Sequence, residues 1–376
     1  MKLDDRARLR NKLRGDFNKL FFLMKKSSGY SKMDEYRHIY TTLTRISDLV
    51  GIEIDYDFDL EAEYYKNAVH SNKKTVDHRI YDEKLEVMVS SIDSGLDSFY
   101  KDVIKREASP YYSFFAKPLQ YRSEEEIFEI AADFFKGYNP NIHKLFERLK
   151  KENIYLIDKT FISDGIAYFL GSGFDPYIFI YPEFNVKDSS SLCHELTHAY
   201  HFNLINSLGG NRSVNYSSNP LNEIDSHFTE LVFFDYWSKI NKEEANTLLK
   251  CFNKTFLTYM MDYVTLCMIC NHASDEEISK YRGEAFGYTS LTRETNSFSE
   301  LFNDYQDVFN YLFGFIYGYK FYELYLEDKE RALKEIDKLN NNAATMKLSD
   351  LFEAGLLDKF ALTDEESIIK LLKKAY

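Results

Sequence analysis

At 376 residues, with 44% hydrophobic and 28% charged side chains, the chain carries enough apolar material for a sizeable core and is too apolar to be disordered. A formal charge of −13 is incompatible with the basic surface that phosphate backbones require, which excludes nucleic acid as a partner. With only 15 glycines and 6 prolines, long irregular linkers are disfavoured, so a mainly α protein with two lobes is expected.

The amino terminus has no apolar core of the signal-peptide type. Residues 1–26 read as an amphipathic helix with Leu9, Leu13, Phe17, Leu20 and Phe21 along one stripe, while Asp4, Asp5 and Asp16 argue against a transit peptide. The chain stays polar and helical in character through residue 115, with a loop expected at 51–59. Ser123-Glu124-Glu125-Glu126 ahead of Ile127-Phe128 is a capping box and starts a helix. Two β-type runs follow, at 164–170 and 176–181, split by Gly171-Ser172-Gly173.

The next segment carries the chemistry. His194-Glu195-Leu196-Thr197-His198 is a His-Glu-x-x-His pattern, which on a helix sets both imidazoles on one face, one turn apart, where they can share a metal ion. Glu195 is then placed to accept a proton from a metal-activated water. After Asn219-Pro220 a second helix is expected, and Glu223, Ser226, His227 and Glu230 fall at i, i+3, i+4 and i+7, a single polar face. Two histidines, one carboxylate and a water make a catalytic zinc arrangement, so Glu223 is the candidate third ligand. A metzincin continuation is absent, since Leu204 stands where its third histidine would fall.

Cys193, Cys251, Cys267 and Cys270 are the only cysteines. Cys267-Met268-Ile269-Cys270 lies in an apolar run with no second pair, so buried helical thiols are expected rather than a zinc ribbon. So few cysteines suit a reducing compartment, and a cytoplasmic location is the expectation. Residues 308–327 approach bilayer length, yet Asn310, Lys320 and Glu323 within them favour a buried or cleft-facing helix, so no integral membrane segment is expected.

The two polar helices together resemble the zinc core of the thimet oligopeptidase and oligoendopeptidase F family of metallopeptidases. That family has a His-Glu-x-x-His helix, then a helix opening with Glu-x-x-Ser and closing with another Glu, here His194–His198, Glu223-Ile224-Asp225-Ser226 and Glu230. The separation of 29 residues between His194 and Glu223 suits it, and His201 matches a histidine common after the motif. The likeness runs from about Ala116 through the two β-type runs to Leu351-Phe352-Glu353-Ala354-Gly355-Leu356-Leu357-Asp358 near the carboxyl end. It implies one zinc per chain, and His201 and Glu230 as groups orienting the ligands. The run Pro176–Tyr181, with Tyr177, Phe179 and Tyr181, is expected to hold substrate backbone by strand addition. The family's oxyanion-stabilising histidine has no counterpart, because no histidine follows His272, and Phe309 stands where a tyrosine is usual. That role passes to Tyr311, with Tyr305 or Tyr317.

The sequence thus describes a two-lobed, mainly α metallopeptidase with a small β-sheet beside the zinc helices and a substrate channel. A reduced amino-terminal lobe is expected over 1–115 and the catalytic body over 116–376. The expected activity is zinc-dependent hydrolysis of peptide bonds, with peptides as partners. A host-directed protease effector, or a catalytically weak zinc-containing peptide-binding protein, are the alternatives; the intact Glu195 argues against the last. Oligomeric state is left open by the sequence.

Overall fold

The computed structural model describes residues 3–26, 30–53, 95–112, 118–157, 164–171, 173–207, 221–286, 305–343 and 348–376. In chain order these form α1 (Leu3–Lys26), α2 (Tyr30–Leu49), α3 (Leu96–Glu107), α4 (Ser109–Tyr112), α5 (Glu124–Tyr138) and α6 (Pro140–Leu149). Three strands follow, β1 (Ile154–Leu156), β2 (Gly165–Tyr168) and β3 (Tyr177–Ile180), then α7 (Val186–Ser207), α8 (Leu221–Ser238), α9 (Lys242–Cys270) and α10 (Asp275–Phe286). The chain continues as α11 (Tyr305–Glu327), α12 (Lys329–Ala343), α13 (Leu348–Glu353), a 3-10 turn at Lys359–Thr363 and α14 (Glu365–Leu372). The protein is mainly α with one small sheet, as its composition and patterning indicate.

Two compact units are assembled, each from two stretches of chain: 1–76 with 121–206, and 77–120 with 207–376. The sequence reading cuts the chain once, at 115/116. In the fold the chain passes between units three times, because α1 and α2 share a core with strands over a hundred residues downstream.

In the first unit the stripe on α1 works as its spacing requires. Leu9, Leu13, Phe17 and Leu20 are fully buried against Ile39, Leu43 and Ile46 of α2, and Phe21 is partly buried at the margin of this cluster. The sheet order is β1-β3-β2, with β3 parallel to β1 and antiparallel to β2, in the register Gly165 opposite Ile180 and Tyr168 opposite Tyr177. Strand β1 leaves no sequence signal: three buried residues, Ile154, Tyr155 and Leu156, are too short to show a period. Side chains alternate across the sheet, so Tyr177 and Phe179 join Tyr155 in the core shared with α1 and α2. The capping box on α5 is present with both its bonds, Glu126 N–H donating to Ser123 Oγ and Ser123 N–H donating to Glu126.

The second unit is a helical assembly centred on α8, α9 and α11. The aromatic run at 308–327 lies within α11 and is almost wholly buried from Val308 to Tyr319. Among the described residues no helix is long and apolar enough to cross a membrane. The four cysteines form no disulfide; Cys193 and Cys267 are buried, but Cys270 is exposed, because it ends α9 beyond the packed part of that helix.

One bond in the first unit should be measurable on its own. The Tyr177 hydroxyl donates to Asp16 Oδ2 at 2.7 Å, tying β3 to α1 across a buried core, while Lys12 pairs with the same carboxylate at 3.1 Å. Tyr177→Phe leaves the ring packing intact and removes one donor from a nearly buried carboxylate. The expected cost is about 1–3 kcal/mol, read as a lower denaturation midpoint; an unchanged midpoint would show that Lys12 alone satisfies Asp16.

Candidate active site

The first candidate cluster is built on α7. Its start is fixed by a reciprocal cap: Asn185 Oδ1 accepts from Lys187 N–H at 2.8 Å, and the Asp188 carboxylate accepts from Asn185 N–H at 3.1 Å. Ser189 Oγ donates to the Ile127 carbonyl on α5 at 3.1 Å, which anchors the first turn to the body of the unit. Two turns later, His194, Glu195 and His198 are all buried, as is His201, which shares the face of the two histidines.

The two imidazoles converge. His194 Nε2 and His198 Nε2 are 3.0 Å apart, with the rings nearly perpendicular. Two imidazole nitrogens on one tetrahedral zinc, each at about 2.0–2.1 Å, would lie about 3.3 Å apart, so the pair fits that ion's donor geometry. Phe202 stacks on His198 at 6.1 Å and is itself braced by Phe169 at 5.0 Å, which limits rotation of the ligand ring.

Glu195 lies against the sheet at Gly165. A Cβ at that position would stand 3.0 Å from Glu195 Cγ and 3.2 Å from Oε1, so a glycine there leaves room for the carboxylate. Burial pushes the neighbouring Tyr181 phenol up to about 12, with smaller contributions from Tyr168 and Glu195, so it stays a neutral hydrogen-bonding group beside that carboxylate.

The expected strand addition at Pro176–Tyr181 is corrected by the sheet order. β3 is the central strand, paired on both edges, and has no free edge to offer. Tyr177 and Phe179 are fully buried and Tyr181 nearly so. Among the described residues β1 and β2 each keep one edge unpaired; β1 is buried throughout, whereas β2 is only half-buried.

A second polar cluster lies on α8, in the second unit. Glu223, Ser226, His227 and Glu230 share a face, as their spacing requires. His227 is sandwiched: its ring stacks on Phe315 at 4.0 Å and meets the edge of Phe252 at 5.5 Å. Its Nδ1 lies 2.8 Å from Glu230 Oε2 and its Nε2 4.0 Å from Glu223 Oε2. Tyr311 is on the neighbouring α11, half-buried, with its ring 5.9 Å from His227 and stacked on Tyr259 at 4.7 Å. Two glycines let α11 approach this closely. A Cβ at Gly314 would come within 2.4 Å of Glu223 Cβ and 2.8 Å of His227 Cδ2, and one at Gly318 within 3.1 Å of His227 Cβ.

The three tyrosines assigned to oxyanion stabilisation separate. Tyr311 joins the Glu223 cluster. Tyr317 does not: its hydroxyl donates to the Asp358 carbonyl at 2.7 Å, its ring packs on Phe313 and Phe352, and burial drives its phenol far above the usual range. Tyr305 opens α11, and its side chain lies outside the described residues. Sequence reasoning missed Gly165, which carries no local signal, and it gave His227 no role although that residue sits in the polar stripe. His194 and His198 in the first unit, and Glu223, His227 and Glu230 in the second, are described side chains able to ligate a metal ion.

The fold has precedents. A protein assigned as an oligoendopeptidase F, from Bacillus anthracis strain Ames, is similar with a TM-score of 0.53 and 14% identity, over 91% of this chain and 62% of that one. PZ peptidase A, solved with an inhibitor, is similar with a TM-score of 0.52 and 12% identity, over 99% of this chain and 77% of that one. A second chain assigned as oligoendopeptidase F gives 0.50 and 11%, over 91% and 64%. This chain has the oligoendopeptidase F fold and spans less than two thirds of the length of both those oligoendopeptidase F chains. No family model matches the sequence, and comparison with curated proteins finds no match.

The close approach at Gly314 makes a direct test. Gly314→Ala drives a methyl into the Glu223 backbone and the His227 ring, neither of which is a flexible chain end. The expected destabilisation is about 1–3 kcal/mol or more by thermal or denaturant unfolding, whereas Gly137→Ala, where a Cβ meets nothing within 4 Å, should be neutral or slightly stabilising. Equal stability of the two variants would refute the tight α8–α11 contact.

Proposed function

We propose that this chain is a zinc-dependent endopeptidase acting on peptides. The observation that carries the reading is the pair of buried imidazoles on α7 with Nε2 atoms 3.0 Å apart and Glu195 between them in sequence. The oligoendopeptidase F fold and the downstream Glu223 stripe support it.

In this reading His194, His198 and Glu223 are the metal ligands, with His201 and Glu230 orienting them. Zinc bound there supplies a Lewis acid that lowers the pKa of its water and polarises the scissile carbonyl. Glu195 accepts the proton of the attacking water and returns it to the departing amine. Its burial against Gly165 fixes its direction and keeps competing water away. Tyr311 donates to the oxygen on which charge develops. The unpaired edge of β2 binds the substrate as an added strand, its backbone groups matching those of an extended peptide. Because β2 also carries Gly165, a peptide bonded there runs beside the Glu195 carboxylate.

Two experiments test the assignment. Elemental analysis of the purified chain should give about one zinc, with His194→Ala or Glu223→Ala losing most of it; full zinc in Glu223→Ala would remove that residue from the ligand set. Hydrolysis of a mixed peptide library should be abolished by a chelator. Glu195→Gln should keep zinc and fold but lose about 10²- to 10⁴-fold in turnover. Near-normal turnover of Glu195→Gln would mean that another group is the base.

Tyr311→Phe removes one oxygen and keeps the ring stack on Tyr259. A donor that acts mainly on the developing charge is expected to lower turnover about a hundredfold with little change in KM. Full activity of the variant would place the oxyanion donor elsewhere.

A further inference from the structure

We propose that His227 is a further protein donor to the cation bound by Glu223, an inference that rests on the reading of Glu223 as a metal ligand. An ionised carboxylate only accepts, so the 2.8 Å contact between His227 Nδ1 and Glu230 Oε2 places the proton on Nδ1. In the neutral ring, Nε2 then carries the lone pair, and it points along the helix face towards Glu223.

Its neighbour there is also an electron-pair donor. Nε2 and Glu223 Oε2 are 4.0 Å apart, too far for a hydrogen bond. A tetrahedral ion about 2.0–2.2 Å from each donor holds the two about 3.4 Å apart, so a shared ion requires these side chains to close by about half an ångström. Glu223 and His227 stand at i and i+4 on α8, the same spacing that sets His194 and His198 on one face of α7.

The ring is also built to hold this direction. Phe315 covers one face at 4.0 Å, Phe252 closes an edge, and Gly314 and Gly318 exist at the positions where a methyl would displace it. A carboxylate holding one imidazole nitrogen so that the other faces a metal is the usual support of a metal-bound histidine. A plain core histidine would need neither a second carboxylate nor helices packed this tightly. Two carboxylates and an imidazole set side by side on one helix face, beside the Phe315 ring, suit a divalent cation. Mixed nitrogen and oxygen donors favour zinc, cobalt or nickel over magnesium or calcium.

The test uses the full chain and reads metal binding rather than turnover. His227→Phe keeps a flat ring between Phe315 and Phe252 but has no donor atom. Competition against a chromogenic chelator should show zinc held at least about ten- to a hundredfold more weakly, and the visible absorption of the cobalt-loaded protein should change. Glu230→Gln should shift affinity in the same direction by less. Melting of the metal-free variants checks the fold, and His227→Asn provides a smaller replacement if the phenyl ring disrupts packing. Unchanged zinc affinity with an unchanged cobalt spectrum in a folded His227 variant overturns the proposal, even if turnover falls, because the histidine would then act on substrate alone. Loss in Glu223→Ala with no loss in His227→Phe removes only His227. Loss in His227→Phe with none in Glu223→Ala removes Glu223 and leaves His227 as the ligand. A wild-type chain that binds no zinc removes both.

Discussion

Burying ionisable groups on helices is the constraint around which both halves of this fold are organised. On α7, His194, Glu195, His198 and His201 are all inside, and on α8 the Glu223–Glu230 face lies among aromatic rings. Taking such groups from water costs several kcal/mol for each charge unless partners or an ion compensate. Apolar residues of similar volume would usually make a more stable helix. Keeping a polar stripe inside a core therefore points to chemistry rather than to stability. It also explains the density of supports around it: the reciprocal cap on α7, the phenylalanine brace on His198 and the Glu230 acceptor for His227.

The aromatic content follows from the same constraint. Rings such as Phe315, Phe252 and Tyr259 exclude water from polar side chains without competing for their hydrogen bonds. Packing them closely requires the backbones to approach, and α11 meets α8 across Gly314 and Gly318. Helix α11 therefore joins an aromatic, largely buried sequence to the glycine pattern of a tight helix contact. Its lysine and glutamate are used inside the unit, where Lys320 pairs with Asp364 and Glu323 accepts from Lys370 at 2.8 Å near α14.

What was legible in the sequence was local. The α1 stripe, the capping box on α5, the two imidazoles one turn apart and the polar face of α8 are all set by helical periodicity, and the fold keeps each of them. The errors share another origin. Alternation along Tyr177, Phe179 and Tyr181 shows that these side chains lie on one face of a strand but not which layer covers that face. The answer comes from α1 and α2, over a hundred residues earlier. Nor does a strand's own sequence reveal whether it is central, and only the pairing with β1, itself too short to detect, closes the second edge of β3. The engagement of the Tyr317 hydroxyl is hidden for a similar reason, since its partner Asp358 lies on a distant turn. The single cut at 115/116 follows the point where the family resemblance begins, whereas the units follow contacts between segments far apart in the chain.

The position of Gly165 ties the proposed chemistry to the proposed mode of binding. An edge strand presents its backbone N–H and C=O groups at fixed spacing, so a peptide added to β2 has its register set by main-chain bonds and not by its side chains. Such binding tolerates many sequences, and selectivity then falls to whatever pockets receive alternate side chains. A side chain at 165 would push Glu195 away from this edge by the width of a methyl group, because the space beneath that residue is already filled by Glu195 Cγ and Ile180. The glycine thus lets the carboxylate lie on the strand that would carry the substrate. Displacements of about 1 Å at such a contact are enough to cost two orders of magnitude in rate when proton transfer must be aligned. In the proposed mode of binding, the spacing between Glu195 and the substrate backbone would be set by the absence of a single Cβ, a feature that neither composition nor helical periodicity reveals.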